Sequence, residues 1–306
     1  MPFTTSAGWI GWVGWLAGLA LTAFGLAPTA SADQGDAPVQ WARPAGAGQG
    51  PLVVAHRGAS GHAPENTLAA ADAADRLGTT WVETDVQRTA DGELVLVHDT
   101  TLARTTNVEQ VFPDRAPWNV SDFTAAEIAR LDAGSWFGEE FAGEPVPTLA
   151  RFLDRLARND QRLLLEIKAP HLYPGIEADI LAELSAKGWP GEQHPGERLV
   201  VQSFDAGSVR TVHELAPELE TGFIGTPAVA DIPAYATWAD QINPRHRDLT
   251  ADYVARIQAA EGPHGRPVEV HTWTVDDGPT ARAVADLGVD GIISNFPDVV
   301  RAALDG

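Results

Sequence analysis

Three short segments of the sequence concentrate groups able to bind charge and move protons: His56-Arg57-Gly58, Glu83-Thr84-Asp85 and Glu166-Ile167-Lys168. Residues two apart on an extended strand point to the same face, so Glu83 with Asp85, and Glu166 with Lys168, each present a pair to one side. A lone pair of this kind reads equally well as a strand-end salt bridge. Three carboxylates, a lysine and a histidine at the ends of three strands read instead as a site, because strands buried on both faces should stay apolar there. The chain has no cysteine, which excludes a disulfide framework, a thiol nucleophile and Cys-ligated zinc or iron–sulfur centres. Its chemistry must run on oxygen and imidazole.

A second histidine joins the set through a hairpin. Two extended arms after Asp85 flank Ala90-Asp91-Gly92, a turn signature. If Thr89 faces Gly92, the register sets His98 across from Glu83, and a one-residue bulge moves it toward Asp85.

These segments need a scaffold, and the pattern from Pro51 onward supplies one. Strands are predicted over 52–56, 81–87, 162–168, 198–203, 220–224, 241–243, 267–273 and 290–294. Amphipathic helices are predicted over 67–77, 149–157, 176–186, 206–215, 252–260 and 279–287, with Gly78, Gly188 and Gly288 as stops. Eight strand–helix repeats over about 250 residues predict one α/β domain, a (β/α)₈ TIM-type barrel, with its chemistry at the C-terminal strand ends. Asn66 reads as a helix N-cap, with Glu65 a structural neighbour. The other histidines read as surface or structural groups.

Lys plus Arg number 21 against 42 Asp plus Glu, a net charge of −21, which argues against a nucleic-acid partner. An anionic partner would need a local cation. The first 32 residues carry no charged side chain, 9–26 form an apolar run, and Ala30-Ser31-Ala32 offers a small-x-small site. This predicts a signal peptide over 1–32 cleaved after Ala32, a linker over 33–50 and a barrel domain over 51–303, exported and without stable membrane insertion. The leader lacks Lys and Arg, and its 18-residue run is just long enough to span a bilayer, so an N-terminal membrane anchor is the alternative.

The order and spacing of His56-Arg57-Gly58, Pro64-Glu65-Asn66-Thr67, Glu83-x-Asp85-Val86, Thr89-x-Asp91-Gly92, Val97-His98-Asp99 and Glu166-Ile167-Lys168 resemble the bacterial secreted glycerophosphodiester phosphodiesterases. The resemblance extends through Leu102-x-Arg104-Thr105-Thr106-Asn107, Leu131-Asp132-Ala133-Gly134 and Pro147-Thr148-Leu149. It implies a distorted barrel with a small inserted subdomain, about 99–147, after the second strand. It also implies hydrolysis of glycerophosphodiesters to glycerol 3-phosphate and an alcohol with one divalent cation. Glu83, Asp85 and Glu166 fall on the family's metal positions, His56 and His98 on its catalytic pair, and Arg57, Lys168 and Trp273 on its substrate contacts. Ser294-Asn295-Phe296-Pro297 departs from the Thr-Asp common at the last strand end, a change expected to touch a secondary contact and to leave the core site alone.

The residue types suit that chemistry. A phosphodiester anion repels nucleophiles, so its cleavage needs charge neutralisation, a base for the nucleophile and an acid for the leaving alkoxide. Two imidazoles can share the proton duties near neutral pH. An all-oxygen carboxylate set favours Ca²⁺ or Mg²⁺, and the expected extracellular address favours Ca²⁺. Lys168, one of only two lysines beside Lys187, fits phosphate contact or an ion pair with Glu166. Arg57 fits a phosphate clamp or a pair with Glu65, and Trp273 a wall for glycerol carbons or a core cap. Phe112, Trp118, Trp136 and Phe137 can pack within the insertion or roof the pocket. A lipid-directed phosphodiesterase, of sphingomyelinase D or phosphatidylinositol lyase type, and a non-catalytic exported module are the alternatives. The insertion and the complete set of carboxylates and histidines disfavour both.

Overall fold

The computed structural model describes Pro2, residues 50–189 and residues 199–306. The predicted leader and linker lie outside the described residues, apart from Pro2 and Gly50, as does the Arg198 start of the fourth predicted strand. Among the described residues no helix is long and apolar enough to cross a membrane.

The chain runs β1 (Leu52–Ala55), α1 (Leu68–Arg76), β2 (Trp81–Arg88), β3 (Leu94–Leu96), α2 (Val108–Val111), α3 (Ala125–Ile128), α4 (Leu149–Arg158), β4 (Arg162–Ile167), α5 (Ile176–Ala186), β5 (Leu199–Ser203), α6 (Ala206–Leu215), β6 (Glu220–Ile224), α7 (Ile232–Tyr235), β7 (Gln241–Asn243), α8 (Ala251–Gln258), β8 (His271–Thr272), α9 (Gly278–Asp286), β9 (Gly291–Ser294) and α10 (Pro297–Asp305). Eight strands pair in parallel in the order β7-β6-β5-β4-β2-β1-β9-β8, with β3 antiparallel on β2. Two parallel bridges, Gln241↔Glu269 and Arg245↔Trp273, bring the ends of the sheet together. The fold is the expected (β/α)₈ barrel.

Its distortion has a local cause. The strand predicted over 267–273 keeps only two residues, and because the His271 N–H donates to the Asn243 side chain, 3.1 Å to Oδ1, pairing toward β7 is limited to the two isolated bridges. The helices that close on the barrel begin where a side chain satisfies a free N–H: Thr67 accepts from Ala70, Thr148 from Arg151, Asp205 from Ser208, Thr250 from Tyr253 and Asp277 from Thr280. The cap of α1 is therefore Thr67, and the expectation for Asn66 is corrected. Helix α10, unpredicted, starts with Pro297 in its first turn, where the missing N–H costs nothing.

Inside the barrel, Val54, Trp81, Leu164, Val200 and Ile293 form one apolar cluster. The segment between β3 and α4 builds its own core from Val97, Leu102, Val108, Val120, Phe123 and Ile128, with Phe112 and Trp118 packed against it. Val95, on β3, belongs to the same cluster.

The hairpin pairs Val86 with Leu96, Gln87 with Val95 and Arg88 with Leu94, one residue away from the expected register. The Thr89 side chain explains the shift: its Oγ1 accepts from the Glu93 N–H and donates to Asp91, closing a five-residue loop over 89–93. The strand ends at Leu96, with one further bond from the Val97 N–H to the Asp85 carbonyl at 3.2 Å, and in this register His98 does not face Glu83.

Candidate active site

Strand register sets Asp85 beside Glu166. One ligating oxygen each from Glu83, Asp85 and Glu166 lie within 4.8 Å of one another, the only such cluster found among the described residues. All three are buried. Burial pushes the Glu83 carboxyl well above its ordinary range, and the neighbouring Asp85 and Glu166 push it further. Burial and Asp85 likewise raise Glu166 to about 7. Burial also acts to raise Asp85, but Arg57, Lys168, His98 and the Asn66 hydrogen bond outweigh it and hold that carboxyl below the usual range. Glu83 Oε1 and Asp85 Oδ1 are buried without a hydrogen-bond partner. Buried oxygens without a hydrogen-bond partner are costly, and a hard cation with a preference for oxygen ligands would satisfy them.

The frame around this cluster comes from the loop after β1. Arg57 adopts a left-handed backbone, φ 58°, which turns its N–H onto Glu83 Oε2 at 2.8 Å. Its guanidinium lies between Asp85, with Nε 3.2 Å from Oδ2, and Glu65, to which Nη1 donates at 2.8 Å. The pairing with Glu65 is thus present, although Arg57 also lines the pocket. Asn66, also at φ 58°, accepts at Oδ1 from Thr84 Oγ1 and the Asp85 N–H and donates from Nδ2 to Asp85 Oδ2 at 2.8 Å. A residue read as a helix cap orients a carboxylate of the cluster. Its place next to the Pro64-Glu65 turn was the available signal.

His98 reaches the site from a turn rather than a strand. Gln87, buried on β2, donates to the carbonyls of Val97 and Asp99, both at 2.7 Å, and accepts at Oε1 from the Tyr173 hydroxyl at 2.9 Å. His98 Nδ1 is 2.7 Å from Asp99 Oδ1. Arg104, from the inserted segment, donates to both Asp99 oxygens and to both Glu65 oxygens. Hydrogen bonding to Arg104 is the main reason the Asp99 carboxyl sits far below its ordinary range. Five alternating groups, His98, Asp99, Arg104, Glu65 and Arg57, therefore link the insertion to the carboxylate cluster.

His56 lies on the other side of Glu83, its Nε2 4.0 Å from Glu83 Oε2 and its Nδ1 2.7 Å from Asn295 Oδ1. Burial, then Arg57, lower its pKa to about 4. The expectation that the Ser294-Asn295 change leaves the core site alone is corrected, since Asn295 bonds His56 directly. Lys168 Nζ is 2.6 Å from Glu166 Oε1, 3.6 Å from Asp85 Oδ1 and 5.4 Å from the centre of the Phe204 ring.

One pocket brings His56, Arg57, Glu83, His98, Glu166 and Lys168 together with Trp273. The Trp273 indole donates to the Asn243 carbonyl at 2.9 Å and meets Phe204 edge to face. Phe204 and Gln202 also line the pocket and escaped the sequence reading. Their signal was only a position at a strand end. Of the remaining histidines, His271 is buried in β8 against Glu269 at 3.1 Å, a structural role.

The model of the glycerophosphoryl diester phosphodiesterase family matches residues 56–299. The chain is 34% identical to a glycerophosphodiester phosphodiesterase of Bacillus subtilis over 272 residues, 83% of this chain and 87% of that protein. It is 37% identical to a glycerophosphodiester phosphodiesterase of Caldanaerobacter subterraneus over 251 residues, 81% of this chain and 96% of that one. A phosphodiesterase of Oleispira antarctica, solved with the product sn-glycerol-3-phosphate, superposes with a TM-score of 0.73 at 29% identity, covering 84% of this chain and 98% of that one.

Proposed function

The chain belongs to the glycerophosphoryl diester phosphodiesterase family and is an enzyme of that class, and we propose that it cleaves glycerophosphodiesters to glycerol 3-phosphate and an alcohol, using a divalent cation and two histidines. The supporting observation is the cluster of three buried carboxylates, two of them with an oxygen that lacks a hydrogen-bond partner, in a site shared with both imidazoles. Glu83, Asp85 and Glu166 hold the cation. When bound, it supplies Lewis-acid neutralisation of the phosphate charge.

The chain's own residues do the rest. Arg57 and Lys168 face the pocket and take phosphate oxygens as charge-assisted donors. Trp273 gives the glycerol carbons a flat apolar wall. His56 is neutral at physiological pH and accepts the nucleophile's proton, the bound phosphate anion raising its basicity. His98, with Asp99 on its Nδ1, carries the proton delivered to the leaving alkoxide. The complex of the Oleispira enzyme with sn-glycerol-3-phosphate supports the product assignment.

The test is an assay of glycerophosphocholine, glycerophosphoethanolamine, glycerophosphoglycerol and a lysophospholipid, with and without chelator. Glycerol 3-phosphate is expected from the first three, lost on chelation and restored by Ca²⁺ in preference to Mg²⁺. Release from lysophospholipid alone, or activity indifferent to chelation, overturns the reading. The Ca²⁺ preference rests on the proposed export, which a secreted product beginning at Asp33 supports and a membrane-retained full-length chain refutes.

Attraction of an anion by a chain of net charge −21 must be local, since salt screens charges beyond about 8 Å at physiological ionic strength. Lys168→Met is expected to lower kcat/KM roughly 10- to 100-fold, the range for losing a hydrogen bond to a charged group. Lys187→Met is expected to change it less than about twofold, because Lys187 pairs with Asp154 at 2.9 Å, outside the pocket. Equal effects of the two would remove Lys168 from the site.

A further inference from the structure

Asn295, at the end of β9, contacts His56 on one side and Asp276 on the other, and each contact constrains the next. Its backbone N–H donates to Asp276 Oδ1 at 2.8 Å and its side chain to Asp276 Oδ2 at 2.7 Å. The Ser294 hydroxyl reaches the same carboxylate at 3.2 Å. A carboxylate accepts, so the Asn295 atom facing it is the NH₂ group. The amide oxygen is thereby turned toward His56 Nδ1 and the Ser60 hydroxyl, both at 2.7 Å. An amide oxygen only accepts, so His56 Nδ1 must carry the proton. Its Nε2, the nitrogen on the Glu83 side, is then the one with a free lone pair.

We propose that Asp276 and Asn295 are positioning residues that lock His56 as the Nδ1–H tautomer, aiming the lone pair of Nε2 at the nucleophile's proton. This rests on the acid–base reading of His56 given above and deepens it. Neither residue is among those lining the pocket. Their removal should change the chemical step and leave substrate affinity alone.

The test pairs NMR of ¹⁵N-imidazole-labelled protein with steady-state kinetics. In the wild type, His56 is expected to show a protonated Nδ1 and an unprotonated Nε2. Asp276→Asn lets the Asn295 amide rotate and offer its NH₂ group to Nδ1. The His56 signal should move toward the Nε2–H tautomer, and kcat should fall roughly 10- to 100-fold with KM within about twofold. Asn295→Asp alone opposes two carboxylates and should lose a similar factor. Asp276→Asn combined with Asn295→Asp exchanges donor and acceptor across the pair and should recover both the tautomer and most of kcat.

A wild-type tautomer in every variant overturns the proposal, as does a double variant no better than either single one at equal melting temperature. The NMR readout does not require turnover. If the enzyme proves inactive on glycerophosphodiesters while the tautomer switches as expected, the substrate reading fails and this inference stands.

Discussion

His98→Ala is expected to lower kcat by on the order of 10² to 10⁴, the range for loss of a positioned acid or base, with the melting temperature unchanged within a degree or so. The fold should survive because the turn carrying His98 is held through backbone carbonyls by Gln87, not through the imidazole. His56→Ala should fall in the same range, since the backbone N–H of His56 keeps its bond to the Ser294 carbonyl. The double variant should lose less than the product of the two, because removing either end of a proton transfer disables much of the other's contribution. Wild-type-like turnover in either single variant would take that histidine out of the mechanism.

The second large effect concerns the carboxylates. Glu83→Gln, Asp85→Asn and Glu166→Gln each remove an anionic oxygen from a set without a spare thiolate, and should weaken cation binding by about 10²-fold or more. Excess cation should partly rescue activity. Asp85→Asn should be hardest to rescue, because the same carboxylate also engages Arg57 and Asn66.

The raised carboxyls add a signed consequence for binding. Without cation, burial and the neighbouring carboxylates favour the protonated form of Glu83 and, below about 7, of Glu166, and the cation competes with those protons. Calorimetric affinity for Ca²⁺ should therefore rise with pH through the range around 7 in which Glu166 gives up its proton. For folding the sign is opposite to that of an ordinary ion-paired carboxylate. A carboxyl whose folded pKa lies above its unfolded value is least costly when protonated, so stability falls as pH rises from the unfolded value toward the folded one. Cation-free Glu83→Gln should accordingly melt no lower than the wild type while losing activity, a trade of stability against function. Unchanged cation affinity in all three variants would show that the cluster holds no metal.

Much of this architecture was legible in the sequence because it rests on local pattern. The helices Ile176–Ala186 and Ala206–Leu215 and the strands Glu220–Ile224 and Gln241–Asn243 have the predicted bounds, since periodicity and glycine stops mark them. The charged strand ends stood out against apolar strands. What escaped was decided by side chains bonding to distant partners. Asn295 meets His56 across 239 positions, and Asn66 meets Asp85 across 19. The Asn243 side chain interrupts the β7–β8 ladder, and the Thr89 hydroxyl shifts the hairpin by one residue. A polar residue near a helix start or strand end is first read by its local role, and in these cases a longer-range bond decided the outcome.

The core of the inserted segment is built partly from Val95 and Val97, the residues that lead directly into His98. That segment also supplies Arg104, which grips Asp99 and Glu65 together. The packing of the insert and the placement of the second imidazole are thus coupled, with Gln87 of the barrel as the other support of the same turn. A chain whose insert is loosened would keep its carboxylates but lose the Arg104 and Asp99 contacts that accompany His98. Substitutions that loosen the core of the insert, such as Phe123→Ala, should therefore disturb His98 without touching the carboxylates, which a change in the His98 NMR signals alone would report.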